Sequence, residues 1–103
     1  MTLEVLYFDG CPSHERLLPV VRALAAEHGV QLTLRRIEDA AQAVHARFLG
    51  SPSMRVNGVD IEPGADERTD FGLKCRLYRS PDGQSGLPPE AWIRRALDSS
   101  VAR

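Results

Sequence analysis

Cys11 is the residue in this chain whose type and setting most readily do chemistry. It follows a short apolar run at residues 3–8, closed by Asp9-Gly10, and precedes Pro12, a residue suited to a first helical turn because its missing N–H has no partner to lose there. A cysteine at that junction faces unpaired backbone N–H groups and the positive end of a helix, which favour a negative sulfur and predict a lowered thiol pKa. A thiolate is the better nucleophile and the better ligand for soft metals. The competing reading is a small buried residue at a strand end, a common fate for an unpaired cysteine.

Two further residues bear on that thiol. His14 lies one turn beyond Cys11, where an imidazole can steady a thiolate or shuttle a proton, although a histidine in a first turn is more often simply solvated. Cys75 is the second thiol and qualifies as a remote resolving cysteine if the segment before it folds across the same end of the molecule; a bridge requires Cα atoms within about 7 Å. The alternation around it groups Cys75 with Leu77 and sets Lys74, Arg76 and Tyr78 on the other face, which predicts a buried Cys75 in a strand over residues 73–78.

Other site chemistries fit poorly. A structural zinc needs four ligands, and His28 and His45 belong to other elements than Cys11 and His14, so no metal and no cofactor is expected. Cysteine phosphatases need an arginine six positions after the cysteine, where Leu17 stands. The glycines fall at turns rather than in a phosphate-binding loop.

Composition frames these residues. In 103 residues, 43% are apolar and 26% charged, which predicts one folded domain over 1–103 rather than a disordered chain. The net charge of −1, with arginines scattered among acids, offers no basic face for nucleic acid. The first residues lack a leader pattern and no apolar run nears the roughly 20 residues of a membrane span, so the expectation is a cytoplasmic protein without membrane contact. Two cysteines are too few for a disulfide framework.

The elements that must hold the thiol follow from periodicity. Residues 3–8 read as a buried strand. Residues 12–28 read as a helix with Leu17, Leu18, Val21, Leu24 and Ala25 inward, bent at Pro19 and ended by Gly29. Val30, Leu32 and Leu34 alternate with polar residues, giving a second strand with one buried face that ends near Ile37. Residues 39–48 suggest a short helix with Ala40, Ala43, Val44 and Phe48 inward. Asn57-Gly58 between residues 54–56 and 59–61 predicts a tight hairpin. Residues 62–72 read as an exposed loop with the makings of a lid, residues 80–83 as a turn, and residues 89–97 as a closing helix that buries Trp92, Ile93 and Leu97. The order implies an α/β architecture with parallel first strands and an antiparallel second half.

These motifs resemble the thioredoxin-like superfamily. Cys11-Pro12-Ser13-His14 follows the first strand, Pro19 stands eight residues beyond Cys11 at the position of that family's kinking proline, and Phe48-Leu49-Gly50-Ser51-Pro52-Ser53-Met54 is similar to its cis-proline segment. The resemblance spans residues 3–61 and, weakly, the final helix. Tyr7-Phe8-Asp9-Gly10-Cys11-Pro12 and Gly72-Leu73-Lys74-Cys75-Arg76-Leu77-Tyr78-Arg79 also resemble short bacterial thioredoxin-like proteins, some labelled alkylmercury lyases.

The resemblance implies a thioredoxin-like fold, with a central mixed four-stranded sheet, room for an extra strand, and about three flanking helices. It implies that Pro52 is cis and holds the Ser51 backbone beside Cys11 for an extended substrate or a bound thiol, with Pro12 and Ser13 lining the same place. His14 occupies the position of the second cysteine of dithiol members, so the usual short-range disulfide cannot form. The expected function is thiol–disulfide exchange or related thiol chemistry by Cys11, with Cys75 or an external thiol as the resolving group. The partner is then a protein or small molecule bearing a thiol or disulfide, and a homodimer stays open. One alternative is organomercurial or soft-metal handling by Cys11 and Cys75, with Asp9 as proton source. Another is a non-enzymatic binding or regulatory module.

Overall fold

Residues 2–101 are described by a computed structural model. The chain begins with strand β1 (Thr2–Tyr7), whose Leu3 and Val5 point to one face and whose Leu6 points to the other, all buried. Both faces of β1 are therefore covered, as its apolar run requires. Helix α1 (Pro12–His28) crosses over and returns the chain to β2 (Gln31–Arg36), which pairs with β1 in parallel from Thr2 opposite Gln31 to Tyr7 opposite Arg36. Gly29 ends α1 in the left-handed conformation, its N–H and that of Val30 closing the last carbonyls of the helix.

A short helix α2 (Ala40–His45), capped by the Asp39 carboxylate on the Gln42 N–H at 2.8 Å, leads to β3 (Ser53–Val56) and β4 (Val59–Asp60). β3 runs antiparallel to β1, and the β3–β4 hairpin turns through Asn57 and Gly58 with φ of 51° and 83°. The sheet order is β2-β1-β3-β4, a mixed four-stranded sheet. After a 3-10 turn at Ala65–Glu67, β5 (Tyr78–Ser80) and β6 (Gly83–Ser85) form a separate hairpin, and α3 (Glu90–Val101) closes the described chain.

Two apolar clusters fix the layers. On one face, Leu17, Val21 and Leu24 of α1 and Ile93 and Leu97 of α3 pack on Leu3, Val5, Met54 and Val56. On the other face Leu6, Ile37, Ala43, Ala46 and Phe48 pack together beneath α2. Three helices thus flank a mixed α/β sheet among the described residues. None of these helices is long and apolar enough to cross a membrane.

Several expectations need correction. β2 does not bury a full face: it is a sheet edge, and Leu34 is 39% exposed. In α2, Ala43 alone is buried; Ala40 and Val44 face outward, because the helix is too short to carry a full apolar stripe, and Phe48 enters the core from the turn that follows it. Residues 62–72 are largely exposed as expected, but they contain the 3-10 turn and bury Ala65. Most consequentially, residues 73–77 do not form the expected strand, which begins only at Tyr78 as β5. They make one isolated parallel bridge, Cys75 opposite Ser51, and the alternation holds with its phase inverted: Arg76 and Tyr78 are buried, while Leu73, Cys75 and Leu77 are exposed.

Candidate active site

The site is built at the end of β1. The chain leaves the sheet at Tyr7, turns through Gly10, and places Cys11 as the N-cap residue of α1 with extended backbone (φ −81°, ψ 110°). The Cys11 carbonyl accepts the Glu15 N–H at 3.2 Å, closing the first turn. No side chain caps this end, so the first N–H groups of α1 are left to the surroundings of the sulfur. Cys11 is 1% exposed. Its Sγ lies 3.7 Å from the Ser51 carbonyl oxygen, to which the thiol donates.

Ser51 precedes Pro52, and the peptide bond between them is cis. Ser51 is fully buried and all its polar groups are engaged. Its Oγ accepts the Phe8 N–H at 3.4 Å, its N–H donates to the Lys74 carbonyl at 2.8 Å, and its carbonyl accepts the Arg76 N–H at 3.0 Å. The segment carrying Cys75 thus lies directly beside the residue that Cys11 faces. Both cysteines are free thiols, Cys11 buried and Cys75 exposed. The expected burial of Cys75 is overturned because Arg76 and Tyr78, its neighbours of opposite phase, find partners inside.

Those partners explain the inversion. The Arg76 guanidinium, its side chain wholly buried, donates to both Asp60 oxygens at 2.7 and 2.9 Å, to Glu62 Oε1 at 3.0 Å and to Ser53 Oγ at 3.0 Å. Burial works against this cation, but hydrogen bonding to Asp60 more than offsets it, and its pKa moves up. The guanidinium also stacks over the Tyr78 ring at 4.5 Å. Tyr78 donates its hydroxyl to the Pro52 carbonyl, and burial pushes the phenol pKa up. Both strong latches of this segment therefore land on or beside the Ser51-Pro52 turn.

His14 departs from the solvated setting expected for it. It is 8% exposed and stacks face to face on Tyr7, with ring centroids 4.0 Å apart and planes 4° from parallel. Its buried Nδ1 has no hydrogen-bond partner. Desolvation lowers its pKa, only partly opposed by Glu15, so the ring is neutral near pH 7. Of the remaining anticipated residues, Pro12 is exposed at the first turn, and Ser13 is half-buried against Gly86, where a Cβ would collide with Ser13 Oγ. His28 bonds to Leu24 and Asp98, far along α1 from Cys11. Among the described residues no cluster of three metal-ligating side chains forms.

Sequence reasoning missed Gly50, Asp60, Glu62, Arg76 and Tyr78 as parts of this site. Gly50 carried the one legible sign, a glycine directly before the Ser51-Pro52 turn. At φ 127°, it lets the turn approach the backbone of Lys74 and Arg76, where a Cβ would meet three atoms at 3.0–3.1 Å. Comparison of the chain with known proteins finds no matching family model, no matching curated protein and no matching solved structure.

Proposed function

We propose that this chain is a thiol-redox protein of thioredoxin-like fold that exchanges disulfides through Cys11. The observation that carries this reading is the placement of the Cys11 sulfur at the open N-terminus of α1, facing the Ser51 carbonyl of a cis-proline turn. The helix end is the feature that favours a sulfur anion here, acting against burial and the thiol's own bond to the Ser51 carbonyl, and the turn lies where a second sulfur would have to approach. The mixed sheet with helices on both faces is compatible with the thioredoxin-like architecture that the motifs imply.

In this reading the deprotonated Cys11 sulfur attacks one sulfur of a partner disulfide. The partner S–S bond breaks, its second sulfur departs as a thiolate, and Cys11 is left in a mixed disulfide. A second thiolate then attacks the Cys11 sulfur and releases the first partner sulfur in reduced form. Cys75 is the internal candidate for that thiolate, since its backbone pairs with Ser51; an external thiol is the other. His14 stands one turn beyond Cys11 with a neutral ring stacked on Tyr7, and its Nδ1 is unpartnered, so no hydrogen bond joins it to the thiol, which donates to Ser51.

The same adjacency of Cys11 and Cys75 to Ser51 favours one second reading, two-thiolate capture of a soft metal ion or organomercurial. Alkylation of each cysteine, followed by peptide mass from acidic to basic pH, tests the first reading. A Cys11 midpoint well below the roughly 8.5 of an ordinary thiol supports it, and a midpoint at or above that value refutes it. Loss of stoichiometric mercury binding in Cys75→Ser, with the Cys11 midpoint unchanged, identifies the second.

A further inference from the structure

We infer that residues 72–78 are a strap that closes the Cys11 site in the resting protein and must lift before Cys11 reacts. The functional meaning of this closure rests on the thiol reading above; its geometry does not.

Three observations carry it. First, Cys11 is only 1% exposed, although the end of a sheet and the start of a helix usually meet solvent. Second, the strap occupies the backbone edge beside that sulfur. The Lys74 carbonyl and the Arg76 N–H take both hydrogen-bonding groups of the Ser51 backbone, so an extended partner segment cannot pair there while the strap is docked. Third, the closeness is built in: Gly50 lacks the Cβ that would strike Lys74 and Arg76, and Gly86, just beyond the β5–β6 hairpin, lacks the one that would strike Ser13.

The grip of the strap is polar and local. It adds no strand to the main sheet, and its only pairing with the Ser51 turn is the single Cys75–Ser51 bridge. Leu73, Cys75 and Leu77 lie outward, so its apolar anchorage is the Tyr78 ring, buried edge to face against Trp92. What holds it is the Arg76 cluster with Asp60 and Glu62, the two backbone bonds to Ser51, the Tyr78 hydroxyl on Pro52, the Gly72 N–H on the Phe48 carbonyl at 3.0 Å, and, at its end, the pairing of Tyr78 with Ser85. Segments with few apolar contacts open at lower free energy than the core, so the strap is able to lift while both apolar clusters stay packed.

The test follows alkylation of the folded protein by iodoacetamide at mildly alkaline pH, with Cys11 and Cys75 read separately by peptide mass. In the wild type, Cys75 reacts as an open thiol and Cys11 more slowly by about tenfold or more, with a urea dependence much shallower than that of global unfolding. Asp60→Asn combined with Glu62→Gln strands the buried Arg76 cation, which must seek water; Cys11 then speeds up by about tenfold or more while thermal unfolding stays cooperative. Tyr78→Phe, which removes only the hydroxyl, gives a smaller increase.

Equal wild-type rates for the two thiols overturn the strap. So does a Cys11 urea slope equal to that of global unfolding, or a Cys11 rate unchanged in both folded variants. Should the double variant not fold, the wild-type slope and Tyr78→Phe decide. If Cys11 in the released variant titrates as an ordinary thiol, the redox reading fails and the strap stands.

Discussion

Replacing Gly50 with alanine adds one methyl group where the Ser51-Pro52 turn meets the strap, and its effect can be worked from two separable terms. The residue sits at φ 127°, which costs an L-residue about 1–3 kcal/mol of backbone strain. The new Cβ lies 3.0 Å from Arg76 Cβ, 3.0 Å from the Lys74 carbonyl oxygen and 3.1 Å from Arg76 Cα, none of them the tip of a flexible side chain. Overpacking of this kind adds about 1–3 kcal/mol if the strap stays in place. Gly58 supplies the control: at φ 83° its Cβ would meet nothing within 4 Å, so Gly58→Ala carries the strain alone, about 1–2 kcal/mol. Urea unfolding followed by far-ultraviolet circular dichroism is expected to show Gly50→Ala less stable than Gly58→Ala by at least about 1 kcal/mol, or about 4–8 °C in Tm. A strap that lifts to relieve the contact keeps the loss near the lower end and accelerates Cys11 alkylation instead. A Gly50→Ala protein as stable as Gly58→Ala and with an unchanged Cys11 rate refutes the close packing of strap on turn.

Three further outcomes are expected. Arg76→Met leaves the Asp60 carboxylate without its cation and Glu62 with Arg68 alone, and lowers stability by about 3 kcal/mol; a loss under about 1 kcal/mol in urea titration contradicts the buried cluster. The folded-state pKa of His14 is depressed, so the unfolded chain binds more protons as pH falls below about 6.5, and the stability His14 contributes above that value is lost on acidification. His14→Phe, which keeps a ring against Tyr7, flattens this acid limb between neutral pH and the depressed pKa, and an identical limb in both proteins counts against the burial of His14. Asp39→Ala removes the cap of α2 at a cost of about 1 kcal/mol, read as a shift in urea midpoint at constant slope.

The parts of the fold legible in the sequence are those governed by local rules. Asn57-Gly58 tolerates the positive angles of a tight turn and is found there, and the helix from Pro12 to His28 starts and stops where its proline and glycine predict. The strap was misread for a non-local reason. Period-two alternation marks which residues share a face but not which face turns inward, and hydrophobicity favoured Cys75 and Leu77 over Arg76 and Tyr78. The decision rests with Asp60 and Glu62, 14 to 16 positions away, whose carboxylates make a buried guanidinium tenable. His14 was misjudged similarly, because the Tyr7 ring that covers it belongs to the preceding strand and lies across the turn. The placement of Cys11 at the mouth of α1 was legible because strand, glycine turn and helix start are each local signals.

Trp92 is the single tryptophan of the chain, and its ring meets that of Tyr78 edge to face, with centroids 6.4 Å apart and planes 74° from parallel. Tyr78 belongs to the strap, while Trp92 rides on α3, which is anchored in the core through Ile93 and Leu97. The molecule therefore carries its own optical reporter. With the strap docked, light absorbed by the Tyr78 phenol is handed to the adjacent indole, and the fixed ring pair lends asymmetry to the aromatic absorption bands. Departure of the strap removes the ring-pair asymmetry and weakens the Tyr78 share of the transfer, Tyr7 remaining as a second donor, while the emission arising from direct excitation of Trp92 persists, so movement over Cys11 can be timed in the unlabelled protein.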